Sequence, residues 1–288
     1  MNENGYLELL KEVFYKGEKK ETRNGITYSI FGALLRFNLN DGLTYPLITT
    51  KKVFFRGIVE ELLWFLRGSV NSKELEEKGI NIWKGNSSRE YLDSNGFTDY
   101  PEGYLGPIYG YQWRSFNGIV DQLKYLLNEL TLKNSRRAII TSWNPCQLKE
   151  QALPPCHILY NFYKNDDNTI SCMMTMRSSD LFLGLPFNIA STALLTLIIA
   201  KVMNMKTKDI CISICDCHIY EEHLEAVKEQ LLLSKKIYEP PQISIIKPLE
   251  NPEKLSIEEK IKWIEELKYE DFKLENYNHH QRIVATMK

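Results

Sequence analysis

The chain has 288 residues and a formal net charge of −1, with 43% hydrophobic and 25% charged residues. This composition is typical of a globular protein with a substantial core, and the near-neutral charge argues against nucleic acid as its main partner. The longest apolar run, residues 190–203, is too short to span a bilayer, and residues 1–17 do not resemble a signal peptide. We therefore expect a cytoplasmic or nuclear protein without membrane contact, in which the six cysteines are thiols.

The first predicted elements are an amphipathic helix and a long strand. Residues 1–17 have helical periodicity, and Gly17 is expected to end the helix. Residues Ile26–Asn38 are rich in β-branched and aromatic side chains and predict a strand with a bend at Gly32. The apolar face of the helix consists of Tyr6, Leu9, Leu10, Val13 and Phe14.

Helices and strands continue through the rest of the chain without a break in composition. The central part predicts a helix, a long irregular loop, an amphipathic helix and three strands, at Ile58–Leu66, Asp93–Gly106, Ile119–Leu132, Ala138–Trp143, Ile158–Tyr163 and Ile170–Met176. The last part predicts a central apolar helix, a strand, a further helix and a charged, exposed helix with a Ser256–Glu259 capping box, at Phe187–Met203, Ile210–Cys215, Ile219–Leu233 and Ser256–Leu267. This order predicts a single α+β or mixed α/β domain over residues 1–288, with a substantial sheet.

One cysteine cluster has zinc-type ligands. Cys211, Cys215, Cys217 and His218 lie within eight residues, and thiolates with imidazole do bind zinc. On a single strand, however, the three cysteines would share a face without converging, and His218 would point away. Buried thiols are therefore favoured, and no metal is expected. The sequence also contains neither a Gly-rich dinucleotide loop nor a phosphate loop.

Cys156 is the candidate nucleophile. It follows Pro154-Pro155 and precedes His157 at the start of a predicted strand. Nearby cations lower the pKa of a thiol and activate it, and Arg177 is one basic residue able to do so. Since most cysteines are inert packing residues, the pattern alone leaves both interpretations open.

The arginines suit an anionic ligand. Guanidinium forks match phosphate geometry, and Ser178 adds a hydroxyl beside Arg177. Arg136 and Arg137 are adjacent on a predicted strand and point to opposite faces. Both can therefore meet one anion only through a turn or a second chain, and a surface cation pair is the alternative.

Four further side chains are candidates for binding or catalysis, and two of them have an alternative role. Asn188 could cap a helix or read a base edge with its amide. Glu61 could be a proton shuttle with a raised pKa among apolar neighbours, or a solvated residue like Glu60. His218 and Tyr220 flank a predicted strand end and could bind sugar hydroxyls.

Together these segments resemble the thymidylate synthase family. The resemblance runs from about residue 7 to near the C-terminus, with the motifs in matching order and spacing. The stretches are Ser29–Gly32, Glu61–Leu66, Leu105–Arg114, Ser135–Arg137, Pro155–His157, Arg177–Asp180, Phe182–Ser191 and Asp216–Tyr220. The resemblance implies an α+β fold with a mixed sheet, an obligate homodimer through the sheet face, and reductive methylation of dUMP to dTMP with 5,10-methylenetetrahydrofolate.

The resemblance also implies roles for individual residues. Cys156 would add to the uracil ring, Glu61 would shuttle protons, Tyr109 would help remove the proton at the 5-position, and His157 would flank the nucleophile. The implied nucleotide ligands are Arg23, Arg177 and Ser178 for phosphate, Arg136 and Arg137 from the partner chain, Asn188 for the base, and His218 and Tyr220 for the sugar. The implied folate-side residues are Asp180, which is also placed with the catalytic group, Trp83, Gly184 and Phe187, with Lys51 for the glutamate tail. No metal is implied.

Several positions depart from the family pattern. The loop after Arg23 is about one residue short, Met176 replaces a usual Gln, Cys215 replaces a usual Gly, and Lys84 replaces a usual acid. A charged helical segment is inserted at about 252–268, and the C-terminus ends about one residue early. These departures motivate two alternatives: a pyrimidine nucleotide hydroxymethylase of the same superfamily, and a non-catalytic nucleotide- or RNA-binding paralogue.

Overall fold

A six-stranded sheet organises the chain in the computed structural model, which describes residues 3–286. Its strands are β1 (Glu18–Thr22), β2 (Gly25–Asn38), β3 (Ile139–Thr141), β4 (His157–Lys164), β5 (Thr169–Asp180) and β6 (Lys206–Tyr220). Their spatial order is β1-β2-β6-β5-β4-β3. The β5–β6 pair is parallel and the other pairs are antiparallel, so the sheet is mixed, as predicted. A separate hairpin-like pair joins β7 (Gln242–Ile245) and β8 (Phe272–Glu275).

The helices among residues 3–286 are α1 (Glu3–Lys16), α2 (Phe55–Leu66), α3 (Lys73–Glu76), α4 (Arg89–Ser94), α5 (Tyr109–Ser115), α6 (Gln122–Thr131), α7 (Gly184–Val202), α8 (Leu224–Leu233) and α9 (Ile257–Glu265). Of these, α1 and α7 pack against the central strands β2, β5 and β6. By length and composition α7 could cross a membrane, but 78% of its most apolar window is buried inside the fold. It is the central helix that its apolar sequence predicts.

The other face of the sheet exposes apolar side chains. Phe31 and Leu34 on β2 are 84% and 62% exposed, and Met173 on β5 is 40% exposed. On the covered face, Leu35 and Phe37 of β2 are buried. Exposed apolar side chains on a sheet face are suited to association with another surface.

Most predicted elements are confirmed, with corrected boundaries. The predicted helix at Ile219–Leu233 is wrong at its start, because β6 continues to Tyr220 and a 3₁₀ turn separates it from α8. α6 begins later than predicted because the Asp121 side chain caps it by accepting from the Lys124 N–H. The Ser256–Glu259 capping box is confirmed, but α9 is not wholly exposed, since Trp263 and Ile264 are buried.

The cysteines on β6 do not share one face, contrary to the prediction. Ile212 and Ile214 face the core, and Cys211 and Cys215 point to the other face of the sheet, where they are partly exposed. Cys217, in contrast, is fully buried. The alternation of buried side chains shifts by one residue between Ile214 and Cys217, which turns the last cysteine into the core. Among residues 3–286 no group of three or more His, Cys, Asp or Glu side chains could hold a metal ion.

Glu3 ties α1 to the loop that precedes α2. Its carboxylate is 8% exposed and accepts hydrogen bonds from the backbone N–H and hydroxyl of both Thr49 and Thr50, at 2.5 to 2.8 Å. Four donors converging on one carboxylate fill its acceptor capacity. The loop is therefore held in place immediately before Lys51.

We predict that Glu3→Gln lowers the free energy of unfolding by about 2 to 3 kcal/mol, because the new amide places N–H groups against buried donors. Urea denaturation measures this loss. Glu8→Gln, an exposed position on the same helix, is the control and should change stability by less than about 0.5 kcal/mol. Equal stabilities of the two variants would contradict the proposed tie.

Candidate active site

Cys156 lies at the start of β4, held by two neighbours. Its backbone N–H donates to the Tyr109 hydroxyl oxygen at 2.7 Å, and its carbonyl accepts from the Arg177 N–H at 2.9 Å. The Arg177 guanidinium lies 3.7 Å from the sulfur and also donates to the carbonyls of Pro155 and Pro154. The two proline carbonyls therefore hold the guanidinium beside the thiol.

Two opposing effects act on the thiol. Burial raises the pKa of Cys156, and the positive charge of Arg177 opposes that rise. Arg177 supplies charge without a carboxylate partner among residues 3–286. In this single chain burial has the larger effect on the pKa of Cys156, and further positive charge near the sulfur would favour the thiolate.

Glu61 has the environment of a proton-transfer group. Its carboxylate accepts from the Trp83 indole N–H at 2.8 Å. Burial raises the pKa of Glu61 to about 7, and that hydrogen bond opposes the rise. The neighbouring Glu60 differs, because it forms a 2.7 Å ion pair with Lys78.

Tyr109 and His157 form a stacked pair beside the nucleophile. Their rings are 4.1 Å apart at 20°, and the Tyr160 hydroxyl lies 3.1 Å from His157 Nδ1. Burial lowers the pKa of His157 to about 3, so the imidazole is neutral near pH 7. The pKa of Tyr109 is raised well above its usual value by burial first and by the nearby Cys156 second.

The ends of β5 and β6 build a polar cluster. The parallel register places Ser178 opposite Asp216 and Asp180 opposite His218. The Ser178 hydroxyl donates to Asp216 at 2.8 Å, and His218 Nδ1 lies 3.0 Å from the same carboxylate oxygen. Burial tends to raise the pKa of Asp216, but the hydrogen bonds from His218 and Ser178 hold it below its usual value.

The β1–β2 hairpin lies beside this cluster. Thr22 pairs with Gly25, so Arg23 and Asn24 form the turn, and Thr27 pairs with Tyr220. Burial raises the pKa of the Tyr220 phenol, and a hydrogen bond with Asn24 opposes the rise. Arg23 is exposed on this turn. The hairpin therefore presents a cation next to the strand ends.

The start of α7 contributes the remaining base- and folate-side candidates. α7 begins at Gly184 with Leu183 as the N-cap, so Asn188 lies one turn inside and does not cap the helix. No hydrogen bond from the Asn188 amide to residues 3–286 is present, so both its donor and its acceptor can serve a ligand. Asp180 accepts the N–H groups of Phe182 and Leu183. Phe187 is half-buried at the same edge.

Lys51 is turned into the fold. It is 5% exposed, and its ammonium donates to the Phe182 carbonyl and lies 3.5 Å from the centre of the Phe182 ring. Burial lowers the pKa of Lys51 to about 7, and the nearby Asp180 opposes that change. Lys51 therefore supports the Asp180 turn in this structure.

Arg136 and Arg137 lie far from Cys156 in the same chain. Both are exposed. The β3–β4 register, with Ile139 opposite Asn161, continues to Arg137 opposite Tyr163. Seven residues along β4 separate Tyr163 from Cys156, which is about 20 Å at the usual rise of a strand. This chain therefore does not bring the two arginines to its own thiol.

Two residues in the assembled site are absent from the sequence prediction. Asp216 links Ser178 to His218, and His223 lies 3.9 Å from Asp180. An acid within an otherwise apolar strand is a signal that could have found Asp216. For His223 no sequence signal exists, because its contacts join distant parts of the chain.

Comparison with known proteins gives matches to one family along nearly the whole chain. Residues 4–288 match the family described as Thymidylate synthase. The bifunctional dihydrofolate reductase-thymidylate synthase of Leishmania major is 48% identical, over 80% of this chain and 47% of that protein. The corresponding bifunctional protein of Paramecium tetraurelia is 44% identical, over 99% of this chain and 61% of that protein. The thymidylate synthase of Saccharomyces cerevisiae is 42% identical, over 99% and 96%. The chain spans about half the length of the Leishmania relatives.

We predict that Glu61 makes stability depend on pH. The folded carboxyl titrates at about 7 rather than 4.5, so the folded state holds a proton that the unfolded chain releases. This contribution is present at low pH and is lost as pH rises through the folded pKa. Relative to Glu61→Gln, the native chain should lose about 2 to 3 kcal/mol between about pH 5 and pH 8.

Urea denaturation of both proteins across this range measures the difference. Glu60→Gln is the matched control and should retain the pH dependence of the native chain, since Glu61 is intact. Parallel stability curves for the native chain and Glu61→Gln would show that the carboxyl titrates normally.

Proposed function

This chain belongs to the thymidylate synthase family, and we propose that it methylates dUMP to dTMP with 5,10-methylenetetrahydrofolate, giving dihydrofolate. The observation that carries the proposal is the Cys156 thiol beside the Arg177 guanidinium, with the Cys156 backbone held by the Tyr109 hydroxyl. That arrangement is suited to covalent thiolate catalysis. The names of the bifunctional relatives include a dihydrofolate reductase. That activity is a property of those proteins.

The nucleotide phosphate would bind to cations that lie near the thiol. We assign Arg23, Arg177 and Ser178 to the phosphate, since a guanidinium fork and a hydroxyl suit its oxygens. The binding energy of the phosphate would position the ring over Cys156. The thiolate would then form a bond to the 6-position of the uracil, and the electron pair would move toward the 5-position.

Recognition of the base and sugar is assigned to three side chains. The Asn188 amide offers a donor and an acceptor to the paired edge of uracil. His218 and Tyr220 lie at the strand ends and would bind the sugar hydroxyl. Asp216 keeps His218 oriented through the 3.0 Å contact. Base recognition and sugar recognition therefore come from different elements, α7 and β6.

Proton transfer is assigned to Glu61, Tyr109 and His157. A carboxyl with a pKa of about 7 can both accept and donate near neutral pH. Tyr109 contacts the Cys156 backbone and is placed to help remove the proton at the 5-position. His157 is neutral near pH 7 and stacks on Tyr109, which holds the phenol in place.

The residues at the start of α7 fit a folate. The Oδ1 atom of Asp180 is used by two backbone donors, which leaves the other oxygen to accept N–H groups of a pterin. A Cβ at Gly184 would meet only Asn188 and Asp180, both at 3.8 Å, so protein packing does not require glycine and the space suits a ring. Trp83 and Phe187 would contact the ring system. Lys51 would reach the glutamate tail only if its ammonium left the Phe182 carbonyl, to which it donates in this structure. The cosubstrate supplies the one-carbon unit and the hydride when bound.

We also propose that the active chain is a homodimer with shared sites. The exposed apolar face of the sheet supports an association of two copies. The distance of Arg136 and Arg137 from Cys156 in one chain supports their donation to the site of the partner copy. Their charges would then act with Arg177 on the phosphate and the thiol. The cytoplasmic or nuclear location stays a prediction.

We predict that the protein produces dihydrofolate and dTMP when mixed with dUMP and methylenetetrahydrofolate, and that Cys156→Ser lowers the rate by at least about 10³-fold. Absorbance at the dihydrofolate band and product mass measure this. Cys146→Ser, which changes an exposed cysteine, is the control and should retain full activity. A hydroxymethyl product would indicate the hydroxymethylase alternative, and binding of dUMP without any product would indicate the non-catalytic one.

We predict that two inactive variants restore activity when mixed. Cys156→Ser and the double variant Arg136→Ala with Arg137→Ala each lack one component of every site. In a mixed dimer, one site receives both intact components. After denaturation and refolding together in equal amounts, about a quarter of the native activity should return. Absence of any recovery, with heterodimers confirmed by mass, would place the arginines and the thiol of a functional site in one chain.

A further inference from the structure

His223 lies in the 3₁₀ turn Glu221–His223 between β6 and α8 and is 1% exposed. Its Nε2 atom is 2.8 Å from the carbonyl oxygen of Thr286. A carbonyl can only accept, so Nε2 carries a proton and donates it to this contact. The imidazole therefore joins the turn after β6 to a residue 63 positions further along the chain.

The opposite side of the imidazole faces the Asp180 carboxylate, which we assign to folate binding. His223 Nδ1 is 3.9 Å from Asp180 Oδ1, and within residues 3–286 this buried nitrogen has no hydrogen-bond partner. The ring centroid is 5.7 Å from that of Phe182 and 5.5 Å from that of Tyr220. Since Asp180 binds the Phe182 N–H, the imidazole packs against the whole Asp180 turn.

Residues 277–286, which we call the closing segment, are anchored unevenly. At its start, the His280 N–H donates to the Thr49 carbonyl at 2.8 Å and His280 Nε2 lies 2.7 Å from the Lys236 carbonyl. Further along, Ile283 is buried in the core at 8% exposure. Among the described residues, the contact with His223 is the only hydrogen bond that reaches residues 282–286. The far half of the segment is therefore held by the packing of Ile283 and Ala285 and by one hydrogen bond, from the His223 imidazole.

We propose that His223 is a positioning residue that couples the closing segment to the Asp180 turn. Docking of the segment on Nε2 holds the imidazole against Phe182 and Asp180, and this fixes the carboxylate that would face the folate. The role of Asp180 in this inference rests on the proposed function. The docking of the segment does not, because it is a contact within the chain.

Three substitutions separate the two sides of the ring. His223→Phe keeps a ring of similar size and removes both nitrogens. His223→Gln has an amide nitrogen at about the reach of Nε2, so it retains a donor for Thr286. His223→Asn is one methylene shorter and loses that donor. The matched control is His279→Phe, because the His279 ring lies in the same segment and contacts Tyr277 rather than the Asp180 turn.

Trypsin measures the docking directly in the unliganded protein. Arg282 is exposed, and cleavage after it requires release of the neighbouring residues. We expect His223→Phe and His223→Asn to be cleaved there about five- to tenfold faster than the native chain. His223→Gln and His279→Phe should stay within about twofold of it. Equal cleavage rates for the native chain and all four variants would overturn the proposal. If His223→Phe does not fold, the cleavage rates of His223→Asn and His223→Gln are compared instead, and equal rates for these two would overturn it.

Steady-state kinetics measure the coupling between His223 and the Asp180 turn. We expect His223→Phe to raise the KM for methylenetetrahydrofolate about tenfold and to change the KM for dUMP by less than about twofold, with His223→Gln recovering part of the folate KM. Faster cleavage with an unchanged folate KM would overturn the coupling to Asp180. If the native chain itself forms no product, the proposed function fails, and the trypsin experiment still decides whether His223 holds the segment.

Discussion

The hydrogen-bond register of β4, β5 and β6 is the constraint on which the site depends. It places His157 opposite Met176, Ser178 opposite Asp216 and Asp180 opposite His218. A slip of one residue would send every one of these side chains to the other face of the sheet. The register is secured by buried side chains on the covered face, where α7 packs. The core therefore determines the positions of the polar residues, and the paired strands hold the site in a fixed geometry.

Burial sets the charge state of the groups around the thiol. It raises the pKa of Glu61 and Cys156 and lowers that of His157. Burial disfavours the charged forms of these three groups, while Arg177 beside the sulfur stays positive and favours an incoming anion. Further arginines from a partner copy would change this balance, since more positive charge near the sulfur stabilises the thiolate.

The departures from the family pattern lie at positions that the fold tolerates. Met176 is 1% exposed on the core side of β5, where an apolar side chain leaves no polar atom unpaired. Lys84 is exposed. The inserted segment forms α9, which buries Ile261, Trp263 and Ile264 and is held to Arg114 by a 2.8 Å ion pair with Glu265. It enlarges the core at a distance from the β4–β6 strand ends that carry Cys156 and Asp216.

The sequence by itself determined most element types and the identity of the chemical groups. Periodic apolar spacing predicted α1, α2 and α6, a long run apolar on nearly all sides predicted α7, and the Ser256–Glu259 box predicted the start of α9. These signals act within short stretches of the chain. Family motifs named Cys156, Glu61, Asn188 and the arginines. Only the tertiary structure decided that β6 continues through Tyr220, that Cys217 turns into the core, that Asp216 links Ser178 to His218, and that His223 meets Thr286. Those outcomes depend on strand pairing, such as that of Thr27 with Tyr220, and on contacts between distant residues, such as His223 with Thr286. Local sequence patterns do not encode such contacts.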